Sequence, residues 1–209
     1  MDAIDLPGRL VPDAAELPGP VARAGAGAFV HFLPPPPCEG CGPYRNVFPG
    51  AGASLVAPVG AFRAGVQVGG AWEGSVGVLA AGHVSRQWEL GEHVRAGAFV
   101  LAGWKSLEVH GPFALAGAHL DAGGEDVRVD VAITPVTFWW DGELVAVPLV
   151  ASELGVRFRA GPHGAIRLGL ESAAPVISYR HVFGDGFVDV GVASLLVVNE
   201  GRVGVGFGW

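Results

Sequence analysis

The sequence predicts an all-β protein: two antiparallel six-stranded β-barrels, or one large sandwich, behind an N-terminal extension. Three observations lead there. Valine is abundant while the helix-favouring Lys, Glu, Gln and Met are scarce, which suits a pleated backbone. Gly 34 and Pro 16 interrupt the chain at short intervals, as tight turns between strands require. No window of about ten residues carries apolar positions at the helical repeat.

Bulk composition limits the function classes. With 209 residues, half of them apolar and 16% charged, the chain has ample material for a buried core. A formal charge of −7 disfavours nucleic acid and anionic lipid as partners. Met1 to Leu17 contains four acids and no basic segment followed by an apolar one, so no secretory leader is read. No apolar run approaches the roughly 18 residues of a spanning helix. The expectation is a soluble protein without a membrane partner, cytoplasmic rather than secreted.

Residues 1–49 read as an extension or linker and residues 50–209 as the folded domain. The extension holds Leu33 followed by Pro34, Pro35, Pro36 and Pro37, a polyproline stretch that cannot join a ladder. Residues 26–33 form a single strand or a docking arm. Cys38 and Cys41 make a lone C-x-x-C. A structural zinc needs four ligands, and the nearest further donor is His31, so two thiols in a Pro-rich loop is the plainer reading.

Strands of the first half are expected at 53–57, 64–68, 76–84, 91–101, 106–110 and 127–133. In the second half they are expected at 143–150, 156–159, 165–170 and 175–179. A hairpin over residues 194–207 turns at Asn199-Glu200-Gly201, where glycine accepts positive φ.

The segment Val76-Gly77-Val78-Leu79-Ala80-Ala81-Gly82-His83 ends an apolar run on a small-small-Gly-His turn. Val129-Asp130-Val131-Ala132-Ile133 places a carboxylate in an apolar strand, where it needs a partner. These two segments, with the region around 187–208, resemble the chymotrypsin-like (trypsin-like) serine peptidases over residues 50–209. The resemblance implies the double barrel, His83 as general base, Asp130 as its orienting acid and peptide-bond hydrolysis in the cleft. Gly191 then matches the first glycine of the nucleophile motif, Val192 replaces its aspartate, Ala193 stands at the serine position and Ser194 follows. Backbone amides of Gly191 and Ala193 would form the oxyanion hole.

A methyl group cannot attack a carbonyl. The favoured reading is therefore an inactive peptidase homologue acting as a binding or structural module for a polypeptide partner. The alternative is an active endopeptidase using a displaced serine, Ser194 or Ser172. No cofactor is implied, and the histidines lack metal-ligand spacing.

Overall fold

A computed structural model of the chain describes residues 19–33, 44–72, 76–106, 111–149, 152–171, 174–195 and 198–209. These are almost entirely strand: β1 (Val21–Leu33), β2 (Tyr44–Val59), β3 (Phe62–Trp72), β4 (Val76–Gly91), β5 (Val94–Lys105), β6 (Gly111–Gly123), β7 (Val127–Asp141), β8 (Glu143–Pro148), β9 (Glu153–Arg159), β10 (Gly164–Glu171), β11 (Ala174–Phe183), β12 (Gly186–Leu195) and β13 (Val198–Gly208). Cys38, Cys41, Ser172 and the polyproline stretch lie outside the described residues.

Apart from β8 and β9, each strand pairs antiparallel with its neighbour in sequence, and β1 pairs with β13 from Val21↔Gly208 to His31↔Val198. The sheet therefore closes on itself. Both β8 and β9 pair with β7, β8 against Val136–Asp141 and β9 against Val127–Ala132, so they act as one interrupted stave. The result is a single closed barrel of 12 staves, with residues 19–21 and 207–209 at the same end. The break has a local cause. Pro135 has no N–H to give, β7 shifts register against β6 between Ala116 and Ala118, and Leu149 turns at φ 60°. Ser152 Oγ accepts the Thr134 N–H at 3.0 Å and so keeps the broken ladder satisfied.

This corrects the expectation of two six-stranded trypsin-like barrels. The boundary at residue 49 falls inside β2, and β1 is a full stave paired on both edges. The terminal hairpin is present, but β12 ends at Leu195 and β13 starts at Val198. Asn199 is already paired with Ser194, and Glu200 lies in the ladder opposite Ala193.

The polarity of the barrel is inverted relative to a soluble protein. Along β4, Val76, Val78 and Val84 are exposed while Leu79, Ala81, His83 and Ser85 are buried. Among the described residues, 38 large apolar side chains are exposed and only 12 apolar ones are buried. Meanwhile Gln67, Lys105, Asp121, Asp130, Arg167 and Glu171 are buried in the lumen. Among the described outward strand positions the acidic or basic residues are Arg86 and His181.

The exposed aromatics form two rings. Phe62, Trp88, Phe158, Phe183, Phe207 and Trp209 circle the end that holds the termini, and Trp72, Trp104, Phe138 and Trp140 circle the other. Phe62 and Trp72 are ten residues apart on β3, about 33 Å of strand, or about 25 Å along the axis at the usual barrel tilt of about 40°. That is the height of the apolar band of a membrane barrel between its aromatic girdles. The sequence lacks a continuous apolar run because these strands carry bulky apolar groups mainly at alternate residues.

Glycine explains how long side chains fit inside. Arg167 lies across Gly155, where a Cβ would meet its Nε at 2.5 Å. Arg202 lies across Gly191 at 3.2 Å from the corresponding position, and His83 across Gly65 with Nε2 at 2.9 Å. Each long lumen group uses the bare backbone of the adjacent strand as its floor.

Candidate functional site: the lumen of the barrel

Alternation along each strand sends one residue in two inward, and the inward sets differ from one side of the barrel to the other. On β4, β5 and β6 they are mainly apolar: Leu79, Ala81, Phe99, Leu101, Phe113 and Leu115 pack into one cluster with Ala71 and Ala132, and Trp139 rests on it.

On β7 to β13 the inward set is charged. The Arg167 guanidinium donates to both Asp130 oxygens, through Nη2 at 2.6 Å and through Nε at 3.0 and 3.2 Å. It also reaches Glu171 through Nη1 at 2.7 Å and Glu153 through Nη2 at 3.2 Å. Glu171 in turn accepts from Arg202 Nη2 at 2.8 and 3.0 Å. Since β11 and β12 separate β10 from β13, the Glu171–Arg202 pair is a chord across the lumen. Arg180 pairs with Asp189 directly opposite on β12, at 2.6 and 2.9 Å, and Arg128 pairs with Asp121. Such pairs are charge-assisted and held on rigid strands, so their geometry is well specified.

The inward faces of β1 to β3 are different again. Gly25, Gly27, Gly50, Gly52, Gly65 and Gly69 occupy them, and the polar groups between are Arg23, Ser54, Arg63 and Gln67. Arg63 Nη2 donates to Gly19 O at 2.9 Å. Arg23 and Arg180 sit over the Phe187 ring, 5.2 and 4.4 Å from its centroid.

The residues expected to form a catalytic set are dispersed. His83 is on β4 and Asp130 on β7, with β5 and β6 between them, roughly 14 Å along the wall at the normal strand spacing. Asp130 is engaged by Arg167, and among the described residues His83 Nε2 has no hydrogen-bond partner. Gly191 and Ala193 are inward on β12, five staves from β4, paired on both sides within the ladders of β11 and β13. Ser194 is exposed on the outer face.

Sequence reasoning passed over Arg167, Glu171, Arg202 and the Arg180–Asp189 pair. Their signal is parity: in Ile166-Arg167-Leu168-Gly169-Leu170-Glu171 the charges fall on one alternate set and the bulky apolar groups on the other. An aspartate among valines was read as a buried carboxylate seeking histidine. Its partner is an arginine two strands away.

No protein-family model matches the chain, and no curated protein matches it. Solved structures do. The KdgM porin in complex with disordered oligogalacturonate superposes with a TM-score of 0.63 at 9% identity, over 90% of this chain and 99% of that one. The translocator domain of the autotransporter NalP from Neisseria meningitidis gives 0.50 at 12%, over 94% and 90%. The outer membrane phospholipase of Salmonella typhi gives 0.52 at 10%, over 95% and 94%. At such identities the likeness establishes the fold: an outer-membrane-type β-barrel. Three different activities on one architecture also show that the fold alone does not select among them.

These likenesses and the apolar exterior overturn the expectation of a soluble, cytoplasmic chain with no membrane partner. They equally overturn the serine-peptidase resemblance and the enzyme reading, active or inactive. The trypsin-like match rested on short segments, which fall here on β4, β7, β12 and β13 of one barrel.

Proposed function

We propose that this protein is an integral β-barrel of an outer membrane that lets small polar solutes cross through its lumen. The observation that carries the reading is the inversion of polarity, with valine, leucine and aromatic residues facing out between two aromatic rings and paired charges facing in. A lipid-facing apolar band and a closed edge satisfy every backbone group without water, as a spanning sheet requires. Porin and channel barrels among its structural likenesses support transport as the activity.

The Arg167–Glu171–Arg202 chord puts fixed charges of both signs in the path. Opposed charges held there set which solutes pass, by the same close-range electrostatics that act in other pores. The test is reconstitution of the full chain into a planar lipid bilayer. Stepwise ohmic conductance is the expected result. A folded barrel that inserts into vesicles yet never conducts would overturn the transport assignment, and a chain that stays in the aqueous phase without detergent would overturn the membrane assignment.

A further inference from the structure

Arg86 is a cation on the outside of the barrel, held beside two aromatic rings. Its side chain is exposed on the outer face of β4. Its Cζ lies 5.5 Å from the ring centroid of Phe62 and 5.5 Å from that of Trp88, within cation–π range. Arg63 pairs with Ser85, so Phe62 stands across from Arg86 on β3, and Trp88 is the next outward residue of β4. No carboxylate partners this guanidinium among the described residues. Glu89 of the same strand is 4.0 Å from Arg95 instead.

The depth of Arg86 says what meets it. Phe62 and Trp88 belong to the aromatic ring at the end that holds the termini, the level at which a membrane barrel meets lipid headgroups. A cation is tolerated at that level and costly at mid-depth. Its planar fork of N–H donors fits two oxygens of one phosphate. On the side away from Phe62 the rung continues through Ala98 and Ala118, both exposed. Their methyl side chains leave the sheet beside Arg86 open to a headgroup.

Local charge agrees with an anionic occupant. A net charge of −7 opposes anionic lipid at long range, but salt limits that reach to about 8–10 Å. No described outward strand position carries an acid, so nothing on the described outer face of the strands offsets Arg86.

We propose that Arg86, with Phe62 and Trp88, docks the phosphodiester of an anionic phospholipid on the outer face of the barrel. The guanidinium donates to the two unesterified oxygens, and the rings pack against the apolar carbons next to the headgroup. A choline lipid brings its own cation to the same place and binds less tightly. The site rests on the membrane reading above and does not depend on conduction through the lumen.

The test titrates the full chain, in a neutral detergent, with phosphatidylglycerol and with phosphatidylcholine. Lipid retained through gel filtration is counted by mass spectrometry. The parent should retain phosphatidylglycerol in preference to phosphatidylcholine. Arg86→Gln should raise the half-saturating concentration of phosphatidylglycerol about tenfold, the loss of one charge-assisted contact, and leave that of phosphatidylcholine within about twofold. Heat-dependent gel mobility checks that the variant folds, and where it does not, the parent's preference alone decides. Excess inorganic phosphate at constant ionic strength should not displace the lipid; displacement would reduce the site to a plain anion contact and overturn lipid docking. Equal retention of both lipids by the parent, or a preference unchanged in Arg86→Gln, would also overturn it. A dimer that Arg86→Gln dissociates, with lipid retention unchanged, would give the patch to a second copy of the chain instead. A chain that stays in the aqueous phase without detergent sinks the membrane reading, whereas a barrel that inserts into vesicles and shows no lipid preference sinks the site alone.

Discussion

Arg167 reaches across Gly155 to hold Asp130, its Nη2 2.6 Å from Oδ2. This contact ties β10 to β7 over the intervening β9, and the same guanidinium also engages Glu153 and Glu171. Arg167→Met should therefore leave three carboxylates close together in the lumen without their common cation. Removing one partner from a buried ionic cluster costs about 3–5 kcal/mol. Unfolding of the detergent-solubilised barrel by urea, followed by its heat-dependent gel mobility, measures that loss. Arg167→Lys should recover little, because an ammonium cannot replace the bidentate fork. A variant as stable as the parent would show the cluster to be incidental.

The floor beneath that arginine makes a separate prediction. A Cβ on residue 155 would lie 2.5–2.8 Å from the guanidinium atoms. Gly155→Val should force Arg167 off Asp130 and cost about 1–3 kcal/mol as overpacking, plus the weakened ion pair. Gly82→Ala is the control. It faces outward on β4 with only Gly65 O within 4 Å, at 3.7 Å, and should stay within about 0.5 kcal/mol of the parent.

Lipid contact is tested by depth. Val66 is exposed midway between the two aromatic rings, and Leu90 is exposed at the edge of the ring nearer the termini. Val66→Arg should destabilise the barrel in lipid by about 2–4 kcal/mol and Leu90→Arg by about 0–1 kcal/mol. Equal effects at the two positions would mean that no hydrocarbon layer covers the midline of the barrel.

Much of the strand inventory was legible in the sequence, and the sign of each strand was not. Segments such as 64–68, 76–84 and 127–133 lie inside observed strands. Period-2 alternation tells which residues share a face, but in Val76–Val84 both faces are small or apolar. Leu79, Ala81 and His83 look no more like lumen groups than Val78 and Val84 look like lipid-facing ones. The missing information was the position of the aromatics. Trp72, Trp88, Trp104 and Trp140 all sit near strand ends with outward parity, and rings of that kind are a property of the assembled barrel that no single segment displays. Closure was hidden for a related reason. It depends on β1 pairing with β13, the longest sequence separation in the fold, and residues 21–33 alone resemble an arm.

The dispersal of the expected catalytic set has its own consequence. Ser194 is exposed on the outer face of β12, while His83 points into the lumen from β4, so this imidazole does not reach its hydroxyl. A fluorophosphonate probe should leave the folded protein unlabelled at every serine, and labelling at Ser194 would contradict the placement of β12.

The chord across the lumen makes a prediction for ion selectivity. Glu171 accepts from both Arg167 and Arg202 and is the carboxylate that offsets two cations at one level of the barrel. Glu171→Gln keeps the size of the side chain and its capacity to accept hydrogen bonds, but removes the charge. The two arginines then face the path with less compensation, and the local potential becomes more positive. Fixed charge inside a lumen acts strongly on permeating ions because less water screens it there than in bulk. In a salt gradient across a bilayer the reversal potential should therefore move toward the anion limit in Glu171→Gln. Arg202→Met should move it the other way, since Glu171 keeps one cation and loses the other. Opposite shifts from two partners of one chord would place the chord in the conducting path. Identical reversal potentials for both variants and the parent would place the path elsewhere.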